Sequence, residues 1–118
     1  MKYIGITGSR AFQNEKLLFE HLDILRKQYE FITLVSGGAR GADTIAELYA
    51  KRNNLNIIVY LPDYEKYGKT APFVRNTDIA NKADILVACF RTDLPCHGTR
   101  DTITKAGSKP IIILSSEY

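Results

Sequence analysis

Five short runs of apolar residues recur along the chain, and the segments between them are long enough to hold a helix. The runs cover residues 3–6, 32–35, 57–60, 85–89 and 111–114. Each run is nearly continuous rather than alternating, which is typical of parallel strands that are covered on both faces. The pattern therefore predicts a five-stranded, mostly parallel sheet with helices on both sides.

The segments between the runs carry apolar residues at helical spacing. Asn14 is the predicted N-cap of the first helix, and Pro72 fits the first turn of the third. Gly107 is the predicted stop signal of a short fourth helix over residues 99–106. The apolar faces of the first three helices are predicted to hold Leu18, Leu22, Leu25 and Tyr29; Ala42, Ile45, Ala46 and Tyr49; and Phe73, Val74, Thr77 and Ala80.

Strands that alternate with helices are joined by right-handed crossovers, which gives a three-layer α/β sandwich of the Rossmann-like type. We expect the strand order 3-2-1-4-5, with a ligand bound beyond the carboxyl ends of the strands, where the order reverses. Residues 61–70 form the only long connection without a predicted helix.

Composition narrows the class of protein. The 118 residues, of which 45% are hydrophobic and 25% charged, fit one globular domain over residues 1–118. The net charge of +3 suits a small anionic ligand but is too low for a dedicated nucleic-acid binder. The chain starts without a signal sequence and has no apolar run of transmembrane length, so we expect a cytoplasmic protein without a membrane partner. Cys89 and Cys96 form no metal-ligand pattern, and we expect neither a metal nor a cofactor.

The most distinctive motif is the octet SGGARGAD of residues 36–43, between the second strand and the second helix. Its three glycines allow a sharp turn and a close approach to a ligand. The helix start then presents unpaired N–H groups, which suit a phosphate. The spacing matches neither the dinucleotide fingerprint nor the P-loop. The octet predicts either a phosphate-binding turn or a plain tight turn, and its candidate ligand residues are Ser36, Gly37, Gly38, Arg40 and Asp43.

Other polar clusters also follow predicted strands, and parallel strands end at one edge of the sheet. We therefore expect them to meet at one site. A guanidinium group binds phosphate through two parallel hydrogen bonds, which favours Arg10 and Arg75 as ligands. A carboxylate at position 43 suits ribose hydroxyls, but it also stabilises a helix start without any ligand. An ordinary solvent-exposed role is the alternative for the others. The candidates outside the octet are Gly8, Ser9, Arg10, Lys69, Arg75, Asn76, His97, Gly98 and Thr99.

Taken together, four motifs resemble the SLOG superfamily, and within it the YspA and cpYpsA-related branch. They are Thr7-Gly8-Ser9-Arg10, the octet, Tyr67-Gly68-Lys69 with Arg75-Asn76, and Gly98-Thr99-Arg100-Asp101. The resemblance covers nearly the whole chain and implies a Rossmann-like fold related to the LOG proteins and to DprA. It implies a nucleotide or nucleotide-derived ligand, such as a phosphorylated nucleoside or an ADP-ribose derivative. It also implies a homodimer and, here, a stand-alone sensor or sequestering protein.

The related LOG enzymes hydrolyse the N-glycosidic bond of nucleoside monophosphates with an arginine on the third helix and a glutamate in a Gly-Thr-x-x-Glu element. Arg75 matches the arginine, whereas Thr102 stands at the position of the glutamate. A threonine cannot supply the negative charge that stabilises an oxocarbenium-like transition state. Asp43 is the candidate replacement, so Arg75 and Asp43 are the candidate catalytic residues. We therefore expect ligand binding, with a hydrolase or transferase acting on that bond as the alternative. Single-stranded DNA binding is a third possibility, which the modest charge disfavours.

Overall fold

The computed structural model describes residues 2–92 and 96–117. In this part of the chain, five strands form one sheet in the order β3-β2-β1-β4-β5, and all neighbouring pairs are parallel. The predicted fold class and strand order are therefore confirmed. The strands are β1 (Lys2–Gly8), β2 (Ile32–Ser36), β3 (Ile57–Val59), β4 (Ile85–Arg91) and β5 (Ile111–Ser116).

Helices connect the strands, and their ends follow local signals in the sequence. The Asn14 side chain caps the first helix by accepting a hydrogen bond from the Leu17 N–H at 3.1 Å. The last helix ends before Gly107, which adopts a φ of +62° that favours glycine. The helices are α1 (Glu15–Gln28), α2 (Ala42–Arg52), α3 (Tyr64–Tyr67), α4 (Ala71–Lys82) and α5 (His97–Ala106), with a 3-10 turn, Gly68–Thr70, between α3 and α4.

One hydrophobic cluster lies on each face of the sheet. Each cluster packs helices against the sheet, which gives the three layers of the predicted sandwich. Leu18 and Leu22 belong to the cluster that packs α1 and α2 on one face. Ile79 and Ala106 pack α4 and α5 against Leu86 on the other face. None of the described helices combines the length and the apolarity that a membrane span requires.

The connection between β3 and α4 differs from the prediction, because it contains α3 and the 3-10 turn. The Asp63 side chain caps α3 by accepting a hydrogen bond from the Lys66 N–H at 3.1 Å. A helix of only four residues leaves no apolar periodicity in the sequence, so the pattern could not indicate it. The last helix also begins two residues earlier than predicted, at His97 rather than Thr99.

The prediction that Phe73 belongs to the apolar face of α4 is wrong, because its side chain is 49% exposed. The helix packs on the sheet and α5 through the face that carries Ile79, and Phe73 lies instead beside the cavity described below. The buried residues of this helix are Ala71, Asn76, Ile79 and Ala80.

Candidate functional site

A cavity of about 590 Å³ opens at the carboxyl ends of β1 and β4. The chain runs outward from β1 through β2 to β3, and then crosses to β4 on the other side of β1. The cavity therefore lies at the topological switch point, where open parallel sheets bind their ligands. Its walls come from the turn after β1 and from the starts of α2, α4 and α5.

Most of the predicted ligand residues line this cavity, although they come from four separate parts of the chain. The sheet brings them together because consecutive parallel strands end at the same edge. Their role in binding stays a prediction. The residues are Gly8, Ser9, Arg10, Asp43, Arg75, Asn76, His97, Gly98 and Thr99.

The other predicted ligand residues lie outside the cavity lining, and they are Ser36, Gly37, Gly38, Arg40 and Lys69. Ser36 ends β2 and is fully buried. Gly38 turns the chain with a φ of +70°. Arg40 and Lys69 are exposed. The glycines of the octet pack closely against the protein, and the predicted binding role of these five residues stays a prediction.

Arg75 is fixed by the end of β2. Its Nη1 donates a hydrogen bond to the Gly37 carbonyl oxygen, and its Nε donates to Oδ1 of Asn76 at 3.0 Å. A Cβ at position 37 would overlap the guanidinium group, so a side chain there would displace Arg75 from this position. The guanidinium group is therefore held in one orientation at the cavity wall, and its other N–H groups are available to a ligand.

Asn76 connects α4 to the start of α5. Its Nδ2 donates to the Gly98 carbonyl oxygen at 3.3 Å and to Oδ2 of Asp101 at 3.1 Å. An asparagine amide has two N–H donors, so both are used within the protein. This geometry lets Asn76 position Arg75 and α5, and its predicted contact with the ligand stays a prediction.

The start of α5 presents open backbone donors. The side chain of the N-cap residue, Cys96, does not cap this helix end, and among the described residues the first turn contains no acidic side chain. Gly98 has open space around it, whereas Thr99 is buried with its hydroxyl oxygen 2.6 Å from Sγ of Cys96. The first N–H groups of a helix lack intrahelical acceptors and carry positive partial charge. This part of the cavity therefore suits an anion.

The turn after β1 lies beside the start of α2. Oγ of Ser9 accepts a hydrogen bond from the Ala11 N–H at 3.1 Å and so stabilises the turn. Gly41 packs against it with a φ of +80°, and a Cβ at position 41 would overlap the Ser9 carbonyl oxygen. Arg10 and His97 are exposed at the rim of the cavity. No residue in the described part of the chain pairs with the Arg10 guanidinium group, which is therefore available to a ligand.

Asp43, in the first turn of α2, forms another wall of the cavity. Its side chain is 7% exposed, and its Oδ2 accepts a hydrogen bond from the Ala39 N–H at 3.1 Å. The buried Oδ1 has no hydrogen-bond partner among the described residues. Burial raises the pKa of Asp43 to about 6, although the Ala39 N–H, the Arg75 charge and the nearby Gly37 N–H favour the ionised form. Since an unsatisfied buried acceptor costs about 1–3 kcal/mol, Oδ1 is suited to a donor from a ligand.

The start of α5 provides no carboxylate to the cavity. Thr102, at the position of the LOG glutamate, is fully buried and donates its hydroxyl to the Gly98 carbonyl oxygen at 3.2 Å. Asp101 accepts from Asn76 and pairs with Lys105 at 2.8 Å. Among the lining residues that the structure describes, the Asp43 side chain is the only carboxylate.

Sequence reasoning missed an apolar wall. Phe73, with Pro72 beside it, forms an exposed surface suited to stacking against a planar ring. Helical spacing could not separate Phe73 from core residues, because it lies three positions before the buried Asn76. Its place at a helix start near the strand ends was the available signal. The lining residues absent from the prediction are Thr7, Ala11, Ala39, Pro72, Phe73, Ile79 and Cys96.

The fold and the cavity define an open, parallel α/β protein of the Rossmann-like class, with a mixed polar and apolar cavity at its switch point. More narrowly, the chain belongs to the YspA, cpYpsA-related SLOG family, whose model matches residues 4–67. The resemblance inferred from the motifs is therefore confirmed. Membership of this family indicates a function related to nucleotides.

Two relatives and one solved structure are among the proteins that are similar to this chain. Gene 61 protein of Mycobacterium phage D29 is 33% identical over 95 residues, which cover 75% of this chain and 76% of that protein. The Bacillus subtilis (strain 168) protein YydG, whose name assigns it to peptide biosynthesis, is 32% identical over 83 residues. That match covers 69% of this chain but 25% of YydG.

The X-ray structure of DNA processing protein A (DprA) from Streptococcus pneumoniae superposes with a TM-score of 0.63. The identity is 14%, over 95% of this chain and 58% of the DprA chain. This likeness shows that the two proteins share the fold.

Proposed function

We propose that this protein binds a nucleotide or a nucleotide-derived ligand, such as a phosphorylated nucleoside or an ADP-ribose derivative, in the cavity at the switch point. It acts as a sensor or as a protein that sequesters this ligand. The observation that carries the proposal is that one cavity holds an uncapped helix start, two arginines and a buried carboxylate with a free oxygen.

The parts of a nucleotide match different walls of the cavity. The phosphate binds the open N–H groups at the start of α5, where Arg10 and Arg75 neutralise its charge. The base packs on the apolar surface of Phe73 and Pro72. Asp43 orients the sugar. Few other small metabolites combine an anionic, a hydroxylated and a planar apolar part.

The test is a thermal-shift screen with nucleoside monophosphates, cyclic nucleotides and ADP-ribose, followed by calorimetric titration of the compounds that raise Tm. A ligand that binds only the folded protein raises Tm by mass action. Replacing Arg75→Ala should weaken binding about 10-fold or more, because a charge-assisted hydrogen bond is lost.

The matched control is Arg52→Ala, which removes the same charge from an exposed ion pair with Glu15 outside the cavity. It should leave the affinity within about twofold, because an exposed ion pair contributes little. The proposal is wrong if no compound of the screen binds, or if both variants weaken binding equally.

The position of Asp43 favours one enzymatic alternative, which is hydrolysis or transfer at the N-glycosidic bond of a nucleotide. Asp43 is a cavity carboxylate with a free oxygen, and its pKa of about 6 lies in a range useful for proton transfer near neutral pH. Incubating the pure protein with nucleoside monophosphates and measuring the free base tests this alternative. Base release that Arg75→Ala abolishes would replace the binding-only proposal.

We also propose that the protein forms a homodimer through the surface beside α3. Leu61, Tyr64 and Tyr67 are exposed there, next to the α4 side of the cavity. Exposed apolar residues that cluster in this way are typical of association surfaces. Light scattering of the wild type and of Tyr64→Asp measures this, and a wild-type monomer at high concentration would contradict it.

A further inference from the structure

We propose that Asp43 makes the site selective for ribonucleotides, because its Oδ1 accepts a hydrogen bond from a ribose hydroxyl. This inference rests on the proposed nucleotide function, and it identifies the part of the nucleotide that the start of α2 reads. It predicts that a deoxynucleotide lacking this hydroxyl binds more weakly.

The carboxylate has a fixed orientation and one free acceptor. Oδ2 accepts a hydrogen bond from the Ala39 N–H at 3.1 Å. A rotation of the carboxylate that gave Oδ1 a partner would break this hydrogen bond. Oδ1 is buried and has no partner in the described part of the chain, while the whole side chain is more than nine-tenths buried. Asp43 lines the cavity, so a ligand that enters the cavity is a source of the donor that this buried acceptor lacks.

The charge of Asp43 determines which donor fits. A phosphate is repelled by a carboxylate and is attracted to the start of α5, to which Asn76 ties the Arg75 side chain. A second cation is less favoured, since the charge of Arg75 already acts on Asp43. The sugar hydroxyls are neutral donors, and in a nucleotide they lie between the phosphate and the base. The sugar hydroxyls are therefore the donors that reach Asp43 while the phosphate lies at the start of α5 and the base lies on Phe73.

The test is calorimetric titration of the wild-type protein with AMP, GMP, CMP and UMP, each beside its 2′-deoxy and 3′-deoxy form. For the ribonucleotide that binds, one of the two deoxy forms should bind roughly 10- to 100-fold more weakly, which is the usual effect of losing a hydrogen bond to a charged group. Equal affinity for all three forms overturns this inference and leaves the nucleotide function standing. If none of the four ribonucleotides binds, this inference is overturned, and the nucleotide function falls with it only if cyclic nucleotides and ADP-ribose also fail to bind.

Two variants separate recognition by Asp43 from a general effect of charge. In Asp43→Ala, both carboxylate oxygens are removed, so no acceptor for the ribose hydroxyl remains at this position. The difference between ribose and deoxyribose should then fall to less than about twofold. Glu47→Gln removes a charge from the next turn of α2 outside the cavity lining and should retain the full difference. A difference that persists in Asp43→Ala contradicts the assignment to Asp43, and the wild-type titrations decide the selectivity even if this variant is unstable.

Discussion

The starts of α2 and α5 face the same cavity but have opposite properties. The start of α2 is a packed glycine turn whose dipole is compensated by the buried Asp43. The start of α5 is uncapped, has no acidic residue in its first turn and leaves open space at Gly98. The first provides an acceptor and the second provides donors. The cavity is therefore polarised, and a matching ligand is an anion at one end and a hydrogen-bond donor at the other.

The contrast between the two helix starts also bears on the most distinctive motif of the sequence, the octet. The octet of residues 36–43 has the glycines of a phosphate-binding turn, yet in the structure these glycines allow close packing. Its Ala39 N–H is bonded to Asp43, and the Gly37 carbonyl oxygen is bonded to Arg75. Glycine content alone does not distinguish a turn that binds a ligand from a turn that packs closely against other residues.

The largest expected effect is the difference in stability when a glycine at each of the two helix starts is replaced by alanine. Gly41→Ala should lower the free energy of unfolding by about 3–5 kcal/mol, because it combines an unfavourable φ with overlap on the Ser9 carbonyl oxygen. Gly98→Ala should change it by less than about 0.5 kcal/mol, since a Cβ meets nothing there. Urea denaturation of both variants measures this. Similar losses in both would remove the structural contrast.

The second prediction concerns the pH dependence of stability at the start of α2. Folding raises the pKa of Asp43 from 3.8 to about 6, so its contribution to stability is complete below about pH 4 and is lost as the pH rises through 6. Relative to Asp43→Asn, the wild type should therefore lose roughly 2 kcal/mol of unfolding free energy between about pH 4 and pH 7.

Urea denaturation of both proteins at several pH values in this range measures the difference, and other titrating groups cancel in the comparison. Parallel curves for the wild type and the variant would show that Asp43 is not desolvated in the folded protein. A neutral-pH wild type that is less stable than Asp43→Asn would mean that the carboxylate is maintained for a reason other than folding.

The smallest expected effect lies at the start of α5. Asp101→Asn removes the ion pair with Lys105, which is partly exposed, and should lower the unfolding free energy by less than about 1 kcal/mol. It should change ligand affinity by less than about twofold, because Asp101 does not line the cavity. A loss of binding or of any base-releasing activity in this variant would place the functional carboxylate on α5 and would reverse the comparison.

The sheet, its strand order and the edge that holds the cavity were predictable, because each depends on continuous apolar runs and on the rules of parallel connections. The roles of individual residues were less accessible. Asn76 and Phe73 occupy neighbouring turns of one helix, yet one is buried between two elements and the other is exposed at the cavity. Which oxygen of the Asp43 carboxylate stays free depends on which of the two accepts the hydrogen bond from the Ala39 N–H. These properties arise from distances between elements, which a pattern along one chain does not contain.

The close approach of Arg75 to Gly37 links two positions that are far apart in the chain. Any side chain at position 37 would push the guanidinium group away from the wall it occupies. During divergence from a common ancestor, neither position is free to vary by itself while the cavity keeps its cation. Descendants that have abandoned the glycine should therefore also have abandoned the arginine, and such paired losses would mark the branches in which this pocket has acquired a different ligand.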